Sequence, residues 1–417
     1  MLVVPFAVAL PWMCVQESAS PLNLDAAVAE TLRSHPRVAG LRRELAARLQ
    51  AVKGARALTA PTVTFTPGLT SLSGTTEEVL ALQPLEINGT RSARANVALA
   101  EYRLAREEAR AAVLELSYEV RLALLALDQA RARRKLAETQ ATEAKTLERL
   151  AGRQVELGTR PGIEREQLAL ETLRTENLKT QAASRVKSAE HALNLLLGRP
   201  ADSPLPELAP IALPQETERE PVEAALASAL SLRSELKQAV AEREGIEAQL
   251  KLAQAGGKPD LAPMVRVGSL LRGIPAGNTG NGAGVGISLS LPIDHGARRA
   301  QKSALLERLE GQKSRREDVA RQIEREVREA WEKLAAAREV LTRYEGEALP
   351  RSERLLRASQ IGFEEGKTSV LAVIEAQRTQ RQLQSDTLQA RTDVLLAVAA
   401  LDKARGVSLT ALPEVSL

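Results

Sequence analysis

Val155-Glu156-Leu157-Gly158-Thr159-Arg160 and Phe363-Glu364-Glu365-Gly366-Lys367-Thr368 are one turn written twice, 208 residues apart. Forty residues beyond each tip glycine a second glycine follows, in Leu197-Gly198-Arg199-Pro200 and in Arg405-Gly406-Val407-Ser408. Upstream, Gly89 answers Gly296 at a spacing of 207, and Pro61 answers Pro259 at 198. A period this long marks a duplicated domain, not a short-unit solenoid. Each copy reads helix, two short strands, one very long helix, a glycine turn and a return helix. The expected organisation is a signal-like segment over 1–20, a first repeat over 21–199, a proline-rich linker over 200–221, a second repeat over 222–408 and a tail over 409–417.

The elements follow from period and punctuation. Leu22–Leu58 and Val222–Ala253 carry apolar residues at helical spacing, and each predicts one helix. Thr62–Thr66, Glu78–Leu85, Leu261–Leu271 and Gly284–Leu291 read as strands. Ser71–Thr76 and Gly273–Gly284 read as the loops that join them in pairs. In the last strand Val285, Ile287, Leu289 and Leu291 share one face, and Gly286, Ser288 and Ser290 the other. From Gly89 to Gly158 no proline intervenes, which allows about 100 Å of helix. Thr159 is placed to cap the next helix, with Pro161 in its first turn. The second long helix runs from Gly296 to Gly366 with Pro350 as a kink, and its return helix from Lys367 to Arg405.

Composition agrees with long packed helices. The chain is 26% charged and only 2% aromatic, and its 57 basic and 53 acidic residues leave a net charge of +4. Charges alternate in sign along the helices, as at Arg103, Arg106, Glu107, Glu108 and Arg110, and no basic run is interleaved with stacking aromatics. Nucleic acid is therefore not an expected partner. Cys14 is the sole cysteine, and His35, His191 and His295 lie far apart with no ligand partner one turn away. No metal site, no cofactor and no enzyme is expected. Leu2–Leu10 is apolar and leads through Cys14 to Ser18-x-Ser20, the pattern of an export signal. Cys14 offers a second reading as a lipidation site, against which Met13 stands.

A 100 Å helix must pack along other long helices. Four strands cannot close a barrel, and their edges need covering. Three copies would supply twelve strands, with the Val285–Leu291 face toward lipid and the Gly/Ser face toward a water-filled lumen. The alternative is two soluble hairpins packed on helices. The strand regions hold one aromatic, Phe65, rather than a belt, which favours that alternative.

The chain from Leu22 to Ser408 resembles the TolC-type outer-membrane efflux family. The resemblance is carried by the duplicated plan, by Leu291-Pro292-Ile293-Asp294-His295-Gly296-Ala297-Arg298, and by Phe363-x-x-Gly366-x-x-Ser369-x-Leu371-x-Val373-Ile374-Glu375-Ala376-Gln377-Arg378. Ser34-His35-Pro36-Arg37-Val38 and Leu58-Thr59-Ala60-Pro61 look like the branch that serves heavy-metal cation pumps. The implied fold is mainly α with a small β part: a homotrimeric α-barrel reaching into the periplasm, continued by a twelve-stranded β-barrel in outer-membrane lipid. The implied role is a passive exit duct, partnered by a periplasmic adaptor and a proton-driven inner-membrane pump. A periplasmic coiled-coil adaptor or scaffold is the rival reading; it would show one hairpin or lack the strands.

The resemblance also places the functional positions. Gly158, Thr159, Gly366 and Lys367 fall where the family meets its adaptor. The family's acidic pair narrowing the entrance falls on Ala372 and Glu375, so one acid remains. In the first repeat Glu164 stands at the matching offset, with Glu166 two residues on. These carboxylates are either lumen rings that select cations or solvated acids suited to a helix N-terminus. Phe363 and Thr368 replace a tyrosine and an arginine of the family's entrance lock, so the gate needs other bonds.

Overall fold

The computed structural model describes residues 21–66, 78–213, 221–268, 283–293 and 295–407. The export-signal segment with Cys14, the loop at Ser71–Thr76, most of the Gly273–Gly284 loop and the tail lie outside these residues. The first repeat contains α1 (Leu24–Ser34), α2 (Pro36–Ala55), β1 (Thr62–Thr66), β2 (Glu78–Leu82), α3 (Thr90–Glu156) and α4 (Gly162–Leu196). The second contains α5 (Val222–Leu232), α6 (Ser234–Ala255), β3 (Asp260–Gly268), β4 (Ala283–Ser290), α7 (His295–Arg343), α8 (Leu349–Glu364) and α9 (Val370–Arg405). Contacts divide the chain into two compact units, with boundaries at His35/Pro36, Tyr118/Glu119, Glu218/Arg219, Ala336/Ala337 and Leu396/Ala397. Each unit draws segments from both repeats.

Several elements differ from the sequence expectation. Leu22–Leu58 is two helices, because Pro36 bars the helical conformation at His35, which is extended (φ −71°, ψ 129°). Val222–Ala253 is also two helices, broken at Arg233 (φ −58°, ψ 127°) without any proline. There the buried guanidinium binds Glu235 at 2.7 Å, Glu326 at 2.9 Å and the carbonyl of Ala404 at 3.1 Å. Thr159 does not cap α4. Its hydroxyl donates to the Gln154 carbonyl at 2.8 Å and so finishes α3, while Pro161 occupies the cap position. Pro350, which lacks an N–H, follows a π-helical turn at Tyr344–Ala348.

Four glycines end helices in one manner. Gly158, Gly198, Gly366 and Gly406 have φ between 71° and 74°. In each case the glycine N–H bonds three residues back and the next N–H five back, as at Gly158→Val155 (2.9 Å) and Thr159→Gln154 (3.0 Å). This pair of hydrogen bonds satisfies the last carbonyls of the helix and requires the left-handed conformation. Gly198 packs on the α1 end and Gly406 on the α5–α6 break: an added Cβ would lie 3.0 Å from Ser34 Oγ and 3.2 Å from Arg233 N, respectively.

The sheet, in the second unit, is antiparallel in the order β1-β2-β3-β4. Its register aligns Val63, Ala81, Val265 and Val285 in one row and Phe65, Val79, Val267 and Ala283 in the next. Leu261 and Pro263 stand beside Leu289 and Ile287 on the same face. Every residue on this face is apolar. The opposite face carries Thr62, Thr64, Thr66, Gly284, Gly286, Ser288, Ser290 and an Arg266–Glu78 pair at 2.7 Å, with Leu80, Leu82 and Met264 among them. The apolar face is open, Val285 being 88% and Ile287 71% exposed. Among the described residues no helix is long and apolar enough to cross a membrane.

Candidate functional site

The first unit holds both hairpin turns, α3–α4 and α8–α9. Their helices meet over one apolar core of Ala151, Leu168, Phe363, Val370, Val373 and Ile374, with Leu147 at its margin. The helical spacing of Val370, Val373 and Ile374 places them on one face of α9.

Phe363 is the centre of this core, only 1% exposed. The Arg160 guanidinium lies 3.8 Å from its ring centroid, donates to the Phe363 carbonyl at 2.6 Å, and binds Glu164 at 3.0 Å. One arginine of the first turn thus grips both the ring and the backbone of the second. A ring face and a carbonyl replace the hydroxyl that Phe363 lacks. Thr368 is turned inward, its hydroxyl donating to the Ser359 carbonyl at 3.1 Å.

Of the residues expected at the entrance, Phe363 is thus core, Thr368 is a backbone brace and Glu164 is held by Arg160. Glu166 is exposed. Glu375 is exposed as well, and its carboxylate contacts Arg378, one turn on, at 3.3 Å. At the turns themselves Gly158 and Gly366 are open, since a Cβ on either would meet nothing within 4 Å. Thr159 and Lys367 flank them, exposed, with Lys367 paired to Glu365 at 2.6 Å.

The sequence gives no sign of a buried charge cluster between α4 and α9. Glu171 on α4, 5% exposed at its side chain, accepts from Arg378 at 2.9 Å and from Arg381, both on α9, and lies 3.4 Å from Arg174. Burial works against its charge. The hydrogen bonds from Arg378 and Arg381 outweigh that and hold the carboxyl below the usual glutamate range. Its partners lie 207 and 210 residues away along the chain, so no local motif could reveal the cluster. Among the described residues there is no group of three or more side chains suited to hold a metal ion.

The chain thus carries two long helical hairpins and a four-stranded sheet that is wholly apolar on one face and mixed on the other, the elements of a helical outer-membrane protein. The chain belongs to the outer membrane efflux protein family, which it matches over residues 27–199 and 225–407. It is therefore an outer-membrane exit duct rather than an enzyme, and a component of a tripartite pump with an adaptor and an inner-membrane partner. The cobalt-zinc-cadmium resistance protein CzcC of Cupriavidus metallidurans is 28% identical over 414 residues, 94% of this chain and 91% of that one. Among solved structures, the outer-membrane channel OprN superposes with a TM-score of 0.76 at 18% identity, over 92% of this chain and 90% of that one. VceC from Vibrio cholerae does so with a TM-score of 0.74 at 17% identity, over 92% and 96%. The structural likeness is one of fold.

Proposed function

We propose that three copies of this chain close a twelve-stranded barrel in outer-membrane lipid, each giving β1–β4, with the hairpins continuing the duct into the periplasm. The open apolar face of the sheet carries this reading. It fits hydrocarbon, while the Thr, Ser and Gly face fits water. β1 and β4 are the sheet's edges, and closure is the one arrangement that removes edges altogether. Exposed Leu157, Ile163, Leu170 and Leu173 in the hairpin region also need cover, which side-by-side copies provide.

The cargo is proposed to be divalent transition-metal cations, the class named for the relative CzcC, driven by a proton-coupled inner-membrane pump. Glu375 and Glu166 stand at the entrance, where exposed carboxylates favour cations over anions, with Glu164 beside them and paired to Arg160. Phe363 and Thr368 set the entrance by fixing the turns from within. Gly158, Thr159, Gly366 and Lys367 meet the adaptor, whose backbone can approach because no side chain covers either glycine. The test is twofold. Detergent-extracted protein should give threefold particles in electron micrographs, and deletion of the gene should sensitise cells to zinc, cobalt or cadmium. A water-soluble monomer would overturn the barrel, and unchanged metal tolerance the cargo.

A further inference from the structure

In the second unit a cavity of about 490 Å³ opens where the sheet gives way to helices. Thr90 at the start of α3, Gly256 at the end of α6 and Arg298 near the start of α7 meet there. Arg298 lies across the bare Gly256 and donates to its carbonyl. The Arg298 Nε and the Thr90 hydroxyl are both buried with no hydrogen-bond partner among the described residues. Buried donors are seldom left unpaired, so two in one cavity call for an acceptor. Arg308, farther along α7, is exposed and also has no partner among the described residues. The described lining contains no carboxylate. Glu86 and Asp260, close in sequence to Thr90 and Gly256, are engaged by Arg94 and by the Ile87 amide. The acceptor that this cavity suits is therefore an anion from outside the chain.

Its place selects the source of that anion. Thr90 follows β2 by eight residues, Arg298 follows β4 by eight, and Gly256 precedes β3 by four. All three thus stand at one border of the sheet. The stretches leading to it are apolar and open: Leu85, Ile87, Leu291 and Ile293 are exposed, Ile293 at 83%. Leu291 and Ile293 continue in sequence the odd-numbered row of Val285, Ile287 and Leu289. An occupant apolar at one end and anionic at the other matches both surfaces. Away from the sheet the lining runs through Gln301 and Gln249 to Arg308. Arg308 lies ten residues beyond Arg298, about 15 Å along the axis. The two amides suit hydroxyls, and Arg308 disfavours an ammonium group.

We propose that this cavity holds the phosphodiester of an anionic phospholipid of the periplasmic leaflet, with a hydroxylated headgroup of the phosphatidylglycerol kind. Arg298 and Thr90 donate to the phosphate, for which a guanidinium is well shaped. The headgroup lies between Gln249 and Gln301, and the acyl chains run along the apolar face of the sheet. Basic pockets between helices at a membrane border bind lipid headgroups by the same means. The proposal rests on the barrel reading, which sets the sheet in lipid. A second copy of this chain is not the occupant. Copies would join at the edge strands β1 and β4, whereas α3 and α6, which wall this cavity with α7, adjoin the central strands β2 and β3.

The test uses the full chain extracted in mild detergent. Native mass spectrometry should find phosphatidylglycerol retained. After delipidation, short-chain phosphatidylglycerol should raise the melting temperature. Inorganic phosphate or the matching diacylglycerol at the same concentration should not, and phosphatidylethanolamine should do so less. Thr90→Val should weaken phosphatidylglycerol binding about tenfold, the worth of one hydrogen bond to a charged group. Arg308→Gln should narrow the preference over phosphatidylethanolamine. Arg298→Gln should weaken binding further, but it also frees the Gly256 carbonyl, so Thr90→Val carries the decision. An equal response to inorganic phosphate would assign the cavity to a solution anion, and an equal response to diacylglycerol would assign the effect to acyl chains alone. Either result overturns the proposal, as would no retained lipid or parental affinity in Thr90→Val. An equal response to phosphatidylethanolamine would overturn the headgroup assignment. Failure of the barrel reading would show separately, as unmodified protein that forms no threefold particle.

Discussion

Arg160 and Phe363 lie 203 residues apart, yet the guanidinium of one stacks on the ring and bonds the carbonyl of the other. This contact joins the two hairpin turns directly. It is 12% exposed at the arginine side chain, so water competes with it poorly.

Removing it should loosen the turns without unfolding the helices. Arg160→Ala is expected to lose about 2 kcal/mol of local stability, from a charged hydrogen bond and a partly desolvated cation–π contact. Hydrogen exchange across residues 363–368 should quicken by roughly thirtyfold while the melting temperature moves little. Arg160→Lys should fall between, because an ammonium cannot stack flat and donate in plane at once. Unchanged exchange would assign the turns to the apolar core alone.

Glu171 sets an acid limit on the α4–α9 contact. Its carboxyl is held below the usual range, so its stabilisation is complete above the ordinary glutamate value of about 4.3. It is lost only as pH falls through the lowered folded value. The α4–α9 contact should therefore hold at pH 5 and weaken below about pH 4. Glu171→Gln should bring that weakening to neutral pH, at about 2 kcal/mol, by leaving the arginines facing one another. Denaturation midpoints at pH 7 and pH 3.5 check both statements. A variant as stable as the parent at pH 7 would rule them out.

The four cap glycines should not behave alike. At Gly158 and Gly366 alanine meets open space, so only the left-handed backbone resists it, at about 1–2 kcal/mol. At Gly198 and Gly406 it must also press on Ser34 or Arg233, adding about 1 kcal/mol or more. Gly158→Trp and Gly366→Trp should still assemble, yet abolish efflux by filling the space left for the adaptor. Normal export by both would place docking elsewhere.

The two faces of β4 should differ sharply. Ile287→Arg would put a charge in hydrocarbon, at about 2–4 kcal/mol per chain near the bilayer midplane. Ser288→Arg, one residue on, points to the other face and should insert normally. Outer-membrane yield of the two variants reads this out, and equal yields would count against the barrel.

At the entrance, Glu375→Gln should weaken cation selectivity and relieve block by a trivalent cation in single-channel recordings. Glu164→Gln should do less, because Arg160 already neutralises Glu164. If the double variant conducts and blocks as before, Glu375 is merely solvated and Glu164 serves only its pair with Arg160.

The repeat made much of the fold legible. Gly158, Gly198, Gly366 and Gly406 mark four helix ends because left-handed backbone leaves few other residues a choice. The period-two rows of β4 were equally plain. The break at Arg233 was not, since no proline or glycine signals it and its stability comes from Glu326 and Ala404, far along the chain. The break at His35 was signalled by Pro36 but masked by apolar spacing that runs on through Leu41 and Leu45. At the turns the acids and glycines could be found from the motif, but not which acids were free. That depends on Arg160 and Arg378, whose reach is a matter of packing.

The pairing of β2 with β3 bears on how the protein is made. Glu78 lies opposite Gly268 and Leu82 opposite Met264, so the centre of the sheet unites strands separated by the whole first hairpin. An N-terminal strand pair leaving the ribosome must wait for well over a hundred residues before its partner exists. Closing so long a loop is slow, and through that interval β2 keeps a bare edge open to misplaced pairing. The centre of the sheet thus cannot form until β3, Asp260–Gly268, has been made. A chain cut short before Asp260 would keep long helices but have nothing with which to complete its membrane anchor.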